Sequence, residues 1–250
     1  MFSDTILIGV GDSYVLGQYE NDMGVTPKSL ESCWQRSFIK KLEQCVGFES
    51  SINLSAPGGS NKRSIRKVLE FLTNDYDPNK KYILIFGITS LSRTEWPIDK
   101  MVGLKSKLFA NGEYYKLNYS DKLVGYAAGA WSMEGSNFAK TYYEEFYDEI
   151  YSKQELEQQL IMLHTLLNSL NIQHYFIYTF PGVDLYEINK KLSNLKLSLI
   201  TLKEEYPVCT ICDFYYTNKF VSGSCGHFDH DANQFLAEHI NEKYFNISRI

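Results

Sequence analysis

The stretch Thr5-Ile6-Leu7-Ile8-Gly9-Val10-Gly11-Asp12-Ser13 decides the fold. Thr5 to Val10 is an almost wholly apolar run that breaks at Gly11, as a strand buried on both faces does. Working outward, Phe48–Leu54 reads as a second strand and Tyr82–Ile88, apolar nearly throughout, as a central third. Between them, Cys33, Trp34, Phe38, Leu42 and Cys45 recur at helical spacing over Lys28–Val46, which Gly47 stops. Ile65, Val68, Leu69 and Leu72 predict a helix over Asn61–Tyr76. Ser92–Tyr151 then breaks the rhythm; it is rich in Gly, Tyr and charge, and reads as an insertion of short helices and loops. Beyond it, Leu156, Leu160, Leu163, Leu167 and Leu170 mark a helix over Ser152–Leu170, with Ser152 and Glu155 as a capping box. Ile172–Phe180 follows as a strand, Asp184–Glu205 as a helix, Val208–Phe214 as a fifth strand and Asp231–Tyr244 as the last helix. Such alternation predicts an α/β chain with a parallel sheet of about five strands and helices on both faces, in a single domain over residues 1–250.

Composition narrows the function classes. A chain of 250 residues buries roughly 70–75 % of its unfolded surface and needs no disulfide staples. Its 44 % hydrophobic and 22 % charged residues are ordinary globular values. The net charge of −5 argues against a nucleic-acid partner. No apolar run approaches the roughly 18 residues that a membrane span requires, and no secretory signal is visible at the N-terminus. Five cysteines, an odd number, do not make a disulfide framework; reduced thiols in the cytoplasm, or in a phage particle assembled there, are the simpler expectation. Aromatic residues reach 15 %, with 19 tyrosines, a residue type that lines sugar- and protein-binding surfaces when it is not in the core.

Ligands of open α/β sheets bind at the carboxyl ends of the strands. The loops there carry GDSYVLG (Gly11–Gly17), NLSAPGGSN (Asn53–Asn61), GITSLSRTEW (Gly87–Trp96) and, before the last helix, SGSCGHFDHDANQFLAEHI (Ser222–Ile240). A Gly-Asp-Ser turn after the first strand, Asn53-x4-Gly58 after the second, and His227 ahead of a helix carrying Ala237-Glu238 resemble, in order and spacing, the SGNH (GDSL-type) hydrolases. That resemblance covers nearly the whole chain apart from the insertion. It implies a flavodoxin-like three-layer α/β/α sandwich and hydrolysis of esters, often acyl groups on sugars, lipids or peptidoglycan.

On the matching positions, Ser13 is the implied nucleophile and His227 the general base. The backbone N–H groups of Ser13 and Gly58 are the implied oxyanion donors. Thr89 stands where the family places an asparagine as third donor, and a hydroxyl there has a shorter reach and one proton to give. The family writes Asp-x-x-His, but Ser224 stands three residues before His227. Ser224, a backbone carbonyl, or a carboxylate from Asp213, Asp229 or Asp231 is left to orient the imidazole. Asp12, Asn61 and Arg93 are candidate supporting residues, and Arg93, Glu95 and Trp96 are expected at the cleft rim. His230, three residues on, is expected to start the helix rather than act as base.

A rival constellation is Cys209-x-x-Cys212 with Cys225 and His227, which offers three thiolates and an imidazole to a zinc ion. If Val208–Phe214 is a strand, its two cysteines face opposite ways, and burial as small thiols is their commoner fate. The expectation is therefore a serine esterase without metal or cofactor, acting on a small-molecule or glycan ester such as a carbohydrate O-acetyl group. The alternative is a catalytically weakened glycan-binding or structural protein on the same fold.

Overall fold

A computed structural model describes residues 2–18, 27–99, 116–118, 123–128, 137–180, 184–191, 196–203, 209–223 and 227–246. Four parallel strands form the main sheet: β1 (Thr5–Val10), β2 (Ser50–Asn53), β3 (Lys81–Ile88) and β7 (Gln173–Tyr178), in the order β2-β1-β3-β7. Residues alternate across it. Ile6, Ile8 and Val10 of β1, with Leu84 and Phe86 of β3, face one apolar layer with α4 (Asn61–Asn74) and α6 (Glu149–Ser169). Leu7, Ile83 and Ile85 face the other, built from α3 (Phe38–Val46), α8 (Ile211–Thr217) and α9 (His230–Ile240). The result is the predicted α/β/α sandwich. The chain leaves β1 for β2 on one side and reaches β3 on the other, so a crevice opens between the carboxyl ends of β1 and β3.

Among the described residues the sheet has four strands, where about five were expected. Cys209 and Thr210 precede α8, and Thr210 and Asp213 form a reciprocal capping box that starts a helix where a strand was expected. Ile211, Phe214 and Tyr215 are buried at helical spacing, so tertiary burial overrides the β-favouring composition. The vacant edge beside β7 is met by residues 198–200, through one parallel bridge between Phe176 and Leu199. The helix expected over Asp184–Glu205 is accordingly short, α7 (Leu185–Lys191).

Three other boundaries shift for local reasons. The segment expected as one helix over Lys28–Val46 is two, α2 (Pro27–Arg36) and α3, because the Ser37 hydroxyl accepts from Lys40 N–H and donates to the Trp34 carbonyl. The Ser152–Glu155 capping box is not the start of α6; Asp148 caps it, accepting from Tyr151 N–H at 2.7 Å. The insertion contains strands as well as short helices. In it β4 (Thr94–Asp99), β5 (Lys116–Asn118) and β6 (Leu123–Ala128) form an antiparallel sheet of order β4-β6-β5, followed by α5 (Asn137–Thr141) and a π-helical turn over Tyr142–Phe146. Among the described residues, no helix is long and apolar enough to cross a membrane.

Candidate active site

The Gly11-Asp12-Ser13 turn ends β1 and opens a single helical turn, α1 (Ser13–Leu16), which Asp12 caps by accepting from Tyr14 N–H at 3.0 Å. That puts the Ser13 side chain at the mouth of the β1/β3 crevice. His227 arrives from the far end of the chain, and its Nε2 lies 2.7 Å from Ser13 Oγ across 214 positions of sequence. Three contacts fix the histidine's backbone. Gly223 N–H donates to the His227 carbonyl at 2.8 Å. Phe228 is buried against Tyr215, ring centroids 4.6 Å apart. Asp229 caps α9 through Ala232 N–H.

The second-strand loop lies directly against this turn. Ala56 N–H donates to the Gly11 carbonyl, and a Cβ on Gly59 would stand 2.8 Å from that same oxygen. Only glycine permits this approach. Gly58 turns the chain with φ +61°, a conformation that L side chains rarely adopt. Asn53 accepts from Ser55 N–H, and Arg63 from α4 donates to the Leu54 carbonyl, so the loop is held from both ends. The N–H groups of Ser13 and Gly58 take no acceptor among the described residues.

Thr89 does not act as the sequence suggests. Its hydroxyl donates to Asp12 Oδ2 at 2.8 Å, and its N–H donates to Asn61 Oδ1 at 2.9 Å. Both donors are consumed internally, which leaves Thr89 none for an oxyanion. Asn61, the first residue of α4, clamps Thr89 from both sides, because its Nδ2 donates to the Thr89 carbonyl. It is therefore a brace for the loop after β3.

Asp12 is the hub of the site. Its side chain is fully buried, and besides capping α1 it accepts from the hydroxyls of Thr89 and Thr179 and from Arg93 Nη1 at 2.8 Å. One carboxylate thus ties together the carboxyl ends of β1, β3 and β7. Arg93, expected at an open rim, turns inward with its side chain 9 % exposed and lies over the Phe180 ring at 4.5 Å. Phe180 meets Tyr14 edge-on at 5.3 Å, and the Tyr14 ring lies 5.0 Å from His227. Thr179, Phe180 and Tyr14 were not anticipated; the signal for Thr179 was a polar residue directly after an apolar strand, at the end where sites form.

Other expected contributors stand elsewhere or outside the described residues. Ser224 lies outside them, as do the side chains of Glu95 and Trp96 in β4. Asp213 and Asp229 are committed to helix caps, while Asp231 and His230 are exposed in the first turn of α9. Of the proposed zinc ligands, Cys209 precedes α8, Cys212 lies within it and Cys225 is outside the described residues, among which no three His, Cys, Asp or Glu side chains cluster to hold a metal. Cys212 Sγ instead donates to Tyr14 Oη, and burial pushes its thiol pKa up to about 11. Burial also raises the Tyr14 phenol, so both groups are neutral at pH 7.

No protein-family model matches the sequence, and no curated protein matches it. Several solved structures are similar. A carbohydrate esterase aligns with 97 % of this chain and 70 % of its own at 13 % identity and a TM-score of 0.49. The acetyl xylan esterase Est2A from Butyrivibrio proteoclasticus aligns with 96 % of this chain and 63 % of its own at 14 % identity and a TM-score of 0.47. A G-D-S-L family protein from Desulfitobacterium hafniense, described as a lipolytic protein, aligns with 95 % and 98 % at 7 % identity and a TM-score of 0.46.

Proposed function

We propose that this chain is an SGNH-like serine esterase. The observation that carries the reading is the 2.7 Å contact between His227 Nε2 and Ser13 Oγ, at the carboxyl ends of the sheet. In this reading, neutral His227 takes the Ser13 proton as Oγ bonds to the ester carbonyl carbon and the π pair moves onto oxygen. The N–H groups of Ser13 and Gly58 receive that oxyanion. Collapse breaks the bond to the leaving alcohol, which takes the proton from the imidazolium. Water then repeats the sequence on the acyl-enzyme, releasing the acid and restoring Ser13.

A carbohydrate O-acetyl ester is the substrate class we favour. On the far side of Arg93 from Ser13 and His227, which do not line it, the loop carrying Arg93 borders a small cleft that Asn61, Tyr142 and Tyr147 help to line, and Tyr143 Oη donates to the Ser92 carbonyl. Tyrosine faces next to hydrogen-bonding groups suit a sugar ring. The chain is expected to act without metal or cofactor, nucleic acid or membrane.

The test is turnover of p-nitrophenyl acetate and of an acetylated oligosaccharide, with covalent labelling by a fluorophosphonate. Ser13→Ala should lower turnover by about 10³-fold or more and abolish labelling. Equal rates for wild type and variant would overturn the assignment. The commitment of Thr89 to Asp12 favours a second reading, a weakened member that binds glycan, because loss of one oxyanion donor costs roughly 10²–10³ in rate. That reading predicts glycan binding with no labelling of Ser13.

A further inference from the structure

We infer that Arg93 is a positioning residue of this site: its guanidinium neutralises Asp12 and thereby sets the field in which Ser13 and His227 work. The inference deepens the esterase reading and rests on it. Among the described ion pairs, Arg93–Asp12 is the least exposed, with side chains 9 % and 0 % exposed. The others stand at 13 % or more on each side chain, and Lys81–Asp4 at 71 % and 60 %.

A buried pair of this kind is a poor device for stability, because desolvation of two ions offsets their attraction. Its place is what distinguishes it. Asp12 immediately precedes the nucleophile, and a carboxylate there, left alone, would oppose negative charge building up on an acyl oxygen at the Ser13 N–H. Two threonine hydroxyls and a backbone N–H satisfy the carboxylate's lone pairs without cancelling its charge. Arg93 cancels it.

The guanidinium is also held in place. It lies over the Phe180 ring, Phe180 packs against Tyr14, and Tyr14 packs against His227, a continuous run of rings from the cation to the imidazole. A guanidinium presents its donors in a fixed planar fork while lying over a ring, whereas an ammonium is a compact point charge on a flexible stem. Among the described residues, the titratable group packed against His227 is Tyr14 from α1, which hydrogen-bonds Cys212 of α8, and both are neutral at pH 7; Asp229, two residues on, is committed to the cap of α9. Asp12 and Arg93 form a compensated charge pair on the nucleophile's side.

The experiment follows the His227 imidazole by NMR titration in the full chain, alongside kinetics. Arg93→Met should raise the His227 pKa by about one unit, because an uncompensated carboxylate favours the imidazolium, and should lower kcat about 10- to 100-fold with KM within about twofold. Asp12→Asn should shift the His227 pKa downward, and the double variant Asp12→Asn/Arg93→Met should return it close to wild type. Arg93→Lys, which keeps the charge but not the planar fork, should leave the pKa near wild type and restore part of kcat. If Arg93→Met does not fold, Asp12→Asn and the double variant carry the measurement, since neither leaves an unpaired carboxylate. An unchanged His227 pKa in these variants, or a rise in KM at constant kcat, would overturn the inference. Wild type without turnover or labelling would remove the esterase reading alone, and the titration would still decide whether Arg93 governs the field at His227.

Discussion

Strand β7 has a buried polar network at each end, and the two are built on opposite principles. At its carboxyl end Thr179 donates to Asp12, a fully buried carboxylate matched by a cation. At its amino end His174 joins a neutral chain. The carbonyl of Ile172 can only accept, so His174 Nδ1 carries its proton and Nε2 accepts from His164 Nδ1 at 2.7 Å. His164 Nε2 in turn accepts from the Asn168 amide at 2.9 Å. Both imidazoles are nearly inaccessible, and burial lowers the pKa of each, with His174 lowering His164 further. The neutral chain joins α6 to the sheet with every donor facing an acceptor. The charged hub keeps an ion inside, and it does so next to Ser13.

The largest effect expected from breaking this contrast is at the charged end. Asp12→Leu would strand the guanidinium of Arg93 and two threonine hydroxyls without their carboxylate, at a cost of about 3–5 kcal/mol. Chemical denaturation should show it as a fall in midpoint without a change in slope. A loss below about 1 kcal/mol would mean that water already compensates the site.

The neutral end should fail in acid. Folded-state pKa values lowered below the unfolded value of about 6.5 mean that the unfolded chain binds protons first as pH drops. The stability contribution is present above about pH 6.5 and is lost as pH falls from there through the folded values, with a slope of up to about 1.4 kcal/mol per pH unit for each histidine. His164→Asn keeps a donor towards His174 but does not titrate. Stability measured at pH 7.5 and 5.5 should fall more for wild type than for this variant; equal losses would exonerate the pair.

The same contrast explains what the sequence could reveal. The turns at Ser13 and Gly58 and the approach of His227 to Ser13 were legible because each stands in a short motif at a strand end or helix start, where local geometry fixes the backbone. Partners far apart in sequence were not. Nothing near Arg93 reveals that its partner is 81 residues upstream, so it reads as a rim cation. Thr89 lies in the loop after β3, as its sequence position implies, but residue type alone cannot say where a hydroxyl sends its proton. Elements failed for similar reasons. Cys209–Phe214 has strand-like composition, and only the Thr210–Asp213 box betrays the helix. In β4, Pro97 interrupts the run and pairs opposite Gly125 of β6, which removes the usual strand signal.

The smallest effect sharpens the comparison at one atom. Thr179 Oγ1 lies 3.0 Å from Asp12 Oδ2 and 2.8 Å from the Ile88 carbonyl, yet it has a single proton. The Ile88 carbonyl also receives the Thr179 N–H at 2.9 Å, so the hydroxyl is not needed to satisfy it. The carboxylate, being charged, draws the proton more strongly. Thr179→Val preserves shape and removes the donor, leaving Asp12 with Thr89, Arg93 and Tyr14 N–H; it should cost about 1–2 kcal/mol. Thr179→Ser keeps the donor, and its loss of one methyl group should cost less than the valine does. Should valine and serine prove equally stable, the hydroxyl contributes nothing to the carboxylate, and the hub rests on the other three donors alone.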